Sequence, residues 1–167
     1  MWEGPYSWLE VVRKMKDGGN KRNGWSGRDY GLYQIYGKHI LAGKNTLLYI
    51  GQACDQTFSS RFKQHYKDWI YGEPGLKICL GRLEDYCCDK DKSWKAWRCD
   101  VNLAEAILVY KYVPNYNSCL KQEYPKLPKG HVVSLIHGGV KGKLNKIDKA
   151  PMDYRYKQKV HGYEGRP

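Results

Sequence analysis

Three groups of residues carry side chains whose type and spacing could do chemistry. Glu105 lies in Leu103-Ala104-Glu105-Ala106-Ile107-Leu108-Val109, with apolar neighbours on nearly every side. A carboxylate in such company is costly unless a cation or several donors meet it. The alternative is a narrow solvent-facing edge shared with Asn102 and Lys111. Arg61 and His65 stand four residues apart in a segment of helical spacing, so both leave one face. Such a pair can hold a phosphate, with Arg as permanent fork-shaped donor and His as titratable partner. A solvated basic face shared with Lys63 and Lys67 would carry the same residues. Finally, Gly31-Leu32-Tyr33 and Tyr49-Ile50-Gly51 flank tyrosine with glycine in opposite order. Glycine inside a strand often marks a close backbone approach or a bulge, which core packing alone does not require.

The elements that must position these groups follow from periodicity. Ser7 to Lys16 reads as a short helix with Ser7 as N-cap and Leu9, Val12 and Met15 on one stripe. Gly18 to Arg28 is rich in Gly, Asn and Lys and reads as a flexible loop. Tyr30 to Tyr36 and Thr46 to Gly51 read as two strands of a hairpin, joined by a long polar connection over Gly37–Asn45. Thr57 to Ile70 predicts a helix and Leu76 to Leu83 a third strand. Glu84 to Lys92 reads as a loop, and Asp100 as N-cap of a helix over Val101 to Tyr112, closed by Pro114. His131 to His137 could add one strand, and the final dozen residues read as a partly ordered tail. The expected fold is a small α/β (α+β) domain: a three-stranded antiparallel sheet flanked by helices, with an N-terminal helix and a basic C-terminal extension. The expected division is an N-terminal helix and loop over 1–29, a central domain over 30–119 and the extension over 120–167.

These residues resemble the GIY-YIG endonuclease family. Gly31-Leu32-Tyr33 is similar to the GIY motif, and Tyr49-Ile50-Gly51 is the YIG motif letter for letter. Arg61 matches the family's arginine in the helix after the second motif. His65 matches a histidine that restriction enzymes of the family carry one turn later, and Glu105 matches the metal-binding glutamate. The run from Glu105 through Pro114 to Asn117 resembles the end of the nuclease domain in excision-repair incision proteins, which makes Asn117 the family's asparagine. The resemblance covers roughly Tyr30 to Cys119. Tyr33 and Tyr49 stand further apart than in compact members, Leu32 replaces the central Ile, and Gln52 stands where many members have Lys.

The resemblance implies hydrolysis of DNA with one Mg²⁺ ion held by Glu105, Mn²⁺ being able to substitute. Arg61 would donate to phosphate oxygens. Tyr33 would act as general base toward water, and Tyr49 would position the water or relay its proton. An ordinary tyrosine titrates near 10, so Tyr33 would need a depressed pKa or a relay. His65 would accept the proton or orient the tyrosine. Asn117 would fix the glutamate or the metal's waters.

The bulk composition is compatible with this chemistry. The net charge of +12 attracts polyanions, double-stranded DNA first among them. Lys21, Arg22, Lys63 and Lys67 and the basic extension are the expected phosphate contacts. The 15 Tyr and 6 Trp against 2 Phe suggest rings wanted for a polar edge as well as a face. Such composition also suits a non-catalytic basic nucleic-acid-binding module, which would stack bases on aromatic rings and make no cuts. No apolar run reaches bilayer-spanning length and no secretory leader opens the sequence, which predicts a cytoplasmic chain, or a nuclear one in a host with a nucleus. The six cysteines lack Cys-x-x-Cys spacing and read as free, mostly buried thiols. Cutting both strands with a one-site domain needs two copies or two visits, which leaves a homodimer open.

Overall fold

The computed structural model describes residues 1–16, 30–70, 73, 75–83, 94–122, 124–127 and 132–150. Its elements in chain order are β1 (Trp2–Ser7), α1 (Trp8–Lys16), β2 (Gly31–His39), β3 (Gly43–Ala53), α2 (Phe58–His65), β4 (Lys77–Gly81), α3 (Trp94–Tyr112), β5 (Val133–Ile136) and β6 (Ile147–Ala150). A π-helical turn, Tyr66–Ile70, continues α2. The class is α+β, with an antiparallel main sheet. That sheet has four strands where three were expected, in the order β1-β4-β2-β3. The unexpected strand is β1. Its Pro5 argues against an interior strand, but β1 lies at the edge of the sheet, where a missing N–H is tolerated.

The strand pattern divides the side chains between two cores. Tyr33 and Ile35 face one side with Leu48, Phe58, Phe62 and Ile78, under α1 and α2. Leu32 and Tyr36 face the other with Ile50, Val101, Leu108 and Leu144, under α3 and the later part of the chain. This is the period-two alternation of a sheet covered on both faces.

Several boundaries differ from the sequence reading for identifiable reasons. Ser7 does cap α1, in a reciprocal capping box with Glu10. The buried residue of α1 is Val11, while Leu9 is exposed, so the expected stripe through Leu9 and Val12 is not the packed face. The β2–β3 connection is short, because the pairing runs out to His39 and Gly43. α3 starts at Trp94, so Asp100 lies inside it, and Trp97 already packs against the core one turn before Val101. The expected strand near His131–His137 is β5. It pairs with β6, which the sequence reading missed.

Residues 132–150 are folded onto the domain. Leu144 and Ala150 are buried, the Trp2 N–H donates to the Gly138 carbonyl across 2.9 Å, and Val140 N–H donates to the Trp2 carbonyl across 3.0 Å. Asp148 anchors this part. It is fully buried and accepts from Lys111, from the Tyr112 hydroxyl at 2.9 Å and from His137 Nε2 at 3.0 Å. Trp2 donates its indole N–H to His137 Nδ1 at 3.0 Å, which leaves the ring proton on Nε2, aimed at Asp148. Of the cysteines described, Cys54 and Cys79 are buried and Cys99 and Cys119 exposed, all free. No helix among the described residues is long and apolar enough to cross a membrane. The loop over Gly18–Arg28, the acidic loop over Glu84–Lys92 and the final dozen residues lie outside the described residues.

Candidate active site

The two motifs meet through the register of the hairpin. Tyr33 on β2 pairs directly with Gly51 on β3, and Ile35 pairs with Tyr49. Tyr33 and Tyr49 therefore share a face, and their rings stack with centroids 6.0 Å apart. This explains the glycine of the second motif. A Cβ at Gly51 would strike the Tyr33 hydroxyl and ring, and Tyr49 Cε1 at 2.6 Å. Gly31 has φ +150° and sits hard against the Gly81 carbonyl, with Phe58 3.3 Å from where a Cβ would stand. Both glycines are places where another group needs the space of a side chain.

α2 brings Arg61 and His65 onto Tyr33. Its N-cap is Thr57, whose hydroxyl accepts from the Ser60 N–H, and Phe58 and Phe62 fix its rotation by burial. Arg61 Nε then donates to the Tyr33 hydroxyl at 3.2 Å, and Nη1 donates to Gln64 at 3.1 Å. The Tyr49 hydroxyl also faces the guanidinium. His65 Nε2 lies 2.5 Å from the Tyr33 hydroxyl. The π-helical turn places Trp69 against the other side of the imidazole, where Nε1 donates to His65 Nδ1 at 3.1 Å.

These contacts assign the proton on His65. An indole N–H only donates, so Nδ1 must accept, and the neutral ring carries its proton on Nε2. Nε2–H therefore donates to Tyr33. Burial, reinforced by the Arg61 charge, pushes the His65 pKa down to about 4, so the ring is neutral at physiological pH. His65 is thus a positioning donor to Tyr33. It has no vacant lone pair with which to take the Tyr33 proton, and of the two roles the resemblance implies, orientation fits this geometry. Burial raises the Tyr33 pKa, with the Tyr49 phenol adding to it and Arg61 opposing it. The free phenol keeps its proton, and two donors converge on its oxygen.

Glu105, on α3, is partly buried and accepts from the Gln52 backbone N–H at the end of β3. Burial raises its pKa to about 7, against the Arg61 charge and the Gln52 bond. A buried carboxylate with one backbone donor and one nearby guanidinium retains acceptor capacity. Among the described residues no group of three or more His, Cys, Asp or Glu converges to form a protein cage for a metal. A single carboxylate with spare acceptor capacity is chemically compatible with Mg²⁺ or Mn²⁺, for which Glu105 would be the protein ligand and water and substrate phosphate would supply the rest.

Comparisons with family models, curated proteins and solved structures returned no match. The chemistry of the site therefore rests on its own geometry.

Asn117 stands apart from the others. Its Oδ1 accepts from Ile50 N–H at 3.0 Å and its Nδ2 donates to the Ile50 carbonyl at 2.8 Å. Both ends of the amide are used on the backbone between Tyr49 and Gly51, on the open edge of β3. Asn117 acts there as a short piece of strand, and its side-chain bonds go to Ile50 rather than to Glu105. Lys63 and Lys67 are exposed on α2 and the turn after it. Lys21 and Arg22 lie outside the described residues. Two participants were not read from the sequence. The Gln52 contribution is a backbone one, which no side-chain pattern signals. Trp69 was legible in principle, standing four residues after His65 as His65 stands four after Arg61.

Proposed function

We propose that this chain is a metal-dependent DNA endonuclease of the GIY-YIG type, hydrolysing phosphodiester bonds. The observation that supports it most is the double donation of Arg61 and His65 to Tyr33, a buried tyrosine opposite a glycine, with the raised carboxyl of Glu105 beside the same guanidinium. A structural tyrosine needs one partner for its hydroxyl. Two donors on one phenol oxygen favour charge developing there.

In this reading Arg61 binds the scissile phosphate through the donors that Tyr33 and Gln64 leave over. Tyr33 directs the attacking water and relays its proton: the phenol oxygen takes the water's proton as its own passes to a non-bridging oxygen of the scissile phosphate, and Arg61 and His65 stabilise the charge that develops on the phenol oxygen. Tyr49, stacked on Tyr33 and half-buried, holds the water from the more exposed side. Glu105 would hold the metal ion, which when bound neutralises charge on the phosphate and the leaving oxygen. Lys63 and Lys67 contact backbone phosphates on either side.

Supercoiled plasmid incubated with wild-type protein in Mg²⁺ and in EDTA, and with Glu105→Ala and Tyr33→Phe, tests the reading. Conversion to nicked or linear DNA by wild type in Mg²⁺ alone is expected. Tight binding with no metal-dependent cut by wild type would instead favour the binding module.

A further inference from the structure

The β2–β3 hairpin ends in Ile40 and Leu41, whose side chains are 92% and 90% exposed. Turn tips ordinarily carry Gly, Asn, Asp or Ser, and two adjacent large aliphatic residues gain nothing from full hydration there. The tip is also held in shape. His39 Nδ1 accepts from the backbone N–H groups of Leu41 at 3.3 Å and Ala42 at 3.2 Å. The Thr46 hydroxyl closes the other side on the Ala42 and Gly43 carbonyls, at 3.2 and 2.9 Å. Lys38 and Lys44, both exposed, stand on the two strands just behind the tip.

A file of rings joins this tip to the catalytic tyrosine. Tyr33 and Tyr49 lie 6.0 Å apart between centroids, Tyr49 and Trp69 5.8 Å, Trp69 and Tyr116 5.4 Å, and Tyr116 and His39 6.3 Å. Ile40 follows His39 directly. From the half-buried Tyr49 outward the row is partly exposed, and it leads to two exposed aliphatic side chains with Lys38 and Lys44 beside them.

We propose that the hairpin tip is a DNA wedge: Ile40 and Leu41 enter a base step of the duplex whose backbone Arg61 engages. This rests on the nuclease reading. Aliphatic side chains unstack base steps when cations behind them hold the flanking phosphates, and Lys38 and Lys44 are placed to do so. His39 stands six residue steps along β2 from Tyr33, roughly 20 Å at the rise of a strand. That is about half a helical turn of DNA, so the opened step lies about half a turn from the cut. The tip is preorganised by His39 and Thr46, so insertion does not first have to order a loop. An anionic lipid surface could also receive two aliphatic residues flanked by lysines. DNA is favoured because the aromatic file leads from the tip to a phosphate-binding arginine.

The test uses the full chain in EDTA with duplexes carrying 2-aminopurine at successive positions, whose emission brightens when the base unstacks. The Ile40→Ser/Leu41→Ser double variant is compared, with binding followed by anisotropy and plasmid nicking assayed separately in Mg²⁺. Wild type should brighten one step several-fold. The variant, altered only at exposed positions, should fold, bind more weakly through its phosphate contacts, and brighten nothing when the duplex is saturated with protein. Equal brightening by wild type and variant, or none by bound wild type, overturns the wedge and leaves a nicking enzyme intact. Tip-dependent brightening without nicking sustains the wedge and removes the nuclease. Tip-dependent capture on anionic phosphatidylserine vesicles without brightening overturns the wedge in favour of a membrane surface.

Discussion

The indole of Trp69 donates to Nδ1 of His65 across 3.1 Å, and that bond places the ring proton on Nε2, the nitrogen that faces Tyr33. Trp69→Phe keeps an aromatic ring there and removes the donor. It should lower kcat about 10-fold or more with KM little changed, since wrong-tautomer histidine would offer Tyr33 an acceptor where it now has a donor. His65→Gln, which can still donate an N–H, should retain more activity than His65→Leu. Steady-state cleavage of one labelled duplex by all three variants checks the order.

The raised carboxyl of Glu105 gives two pH signatures. Metal needs the ionised form, so apparent Mg²⁺ affinity should weaken about tenfold per pH unit below about 7 and level off above it. In metal-free protein the sign is opposite. The folded state holds the Glu105 proton more tightly than the unfolded chain, so stability declines as pH rises from the ordinary carboxyl range to about 7, then stays level. Glu105→Gln removes that decline. It should stabilise the metal-free protein by about 1–3 kcal/mol at pH 8 and by less at pH 6, read from urea denaturation.

Asn117→Ala strips both partners from the Ile50 backbone at once. Two unsatisfied groups on a strand edge cost about 1–3 kcal/mol each when water cannot reach them. The predicted loss is about 2–4 kcal/mol, with faster hydrogen exchange at the Ile50 amide. Asn117→Asp keeps the acceptor and loses the donor, so it should fall between Ala and wild type. If Asn117→Ala instead weakened Mg²⁺ affinity with stability unchanged, its clasp on β3 would not be its role.

Asp148 supplies the acid limit. Burial pushes its carboxyl up, but donation from His137, Lys111 and Tyr112 outweighs this and holds it at about 2. The folded pKa is depressed, so the contribution is complete above about pH 4 and is lost as pH falls toward 2, about 2 kcal/mol in all. Asp148→Asn leaves the Lys111 ammonium without its counter-charge and should cost about 3–5 kcal/mol at neutral pH. Acid titration of far-ultraviolet circular dichroism should show the lost window.

The shared face of Arg61 and His65 was legible from a local rule, whereas their grouping with Tyr33 and Tyr49 was expected only from the resemblance to the GIY-YIG family. A four-residue helical interval sets Arg61 and His65 on one face, while the register that brings Tyr33 opposite Gly51 emerges only from the pairing of β2 with β3. What could not be read depends on partners far along the chain. β1 pairs with β4 some seventy positions later, and its Pro5 weakens any strand pattern. β6 alternates over only four residues, and nothing local announces that Asp148 will meet Lys111 and His137. The clasp of Asn117 on Ile50 was not legible for the same reason: its residue type does not announce a backbone partner 67 positions earlier in the chain.

The contact between Trp2 and residues 138–140 also governs the order in which the molecule can be finished. Trp2 is synthesised well before its partners, which are among the last residues of the described fold to be made. Until then β1 lacks its cover and the sheet carries an exposed apolar rim, a state of high contact order that folds slowly and invites association between nascent chains. Truncation before residue 140 would leave that rim permanently open, although Tyr33, Arg61, His65 and Glu105 would all be present. Maturation of the site is thereby tied to completion of a segment that contributes none of those four side chains.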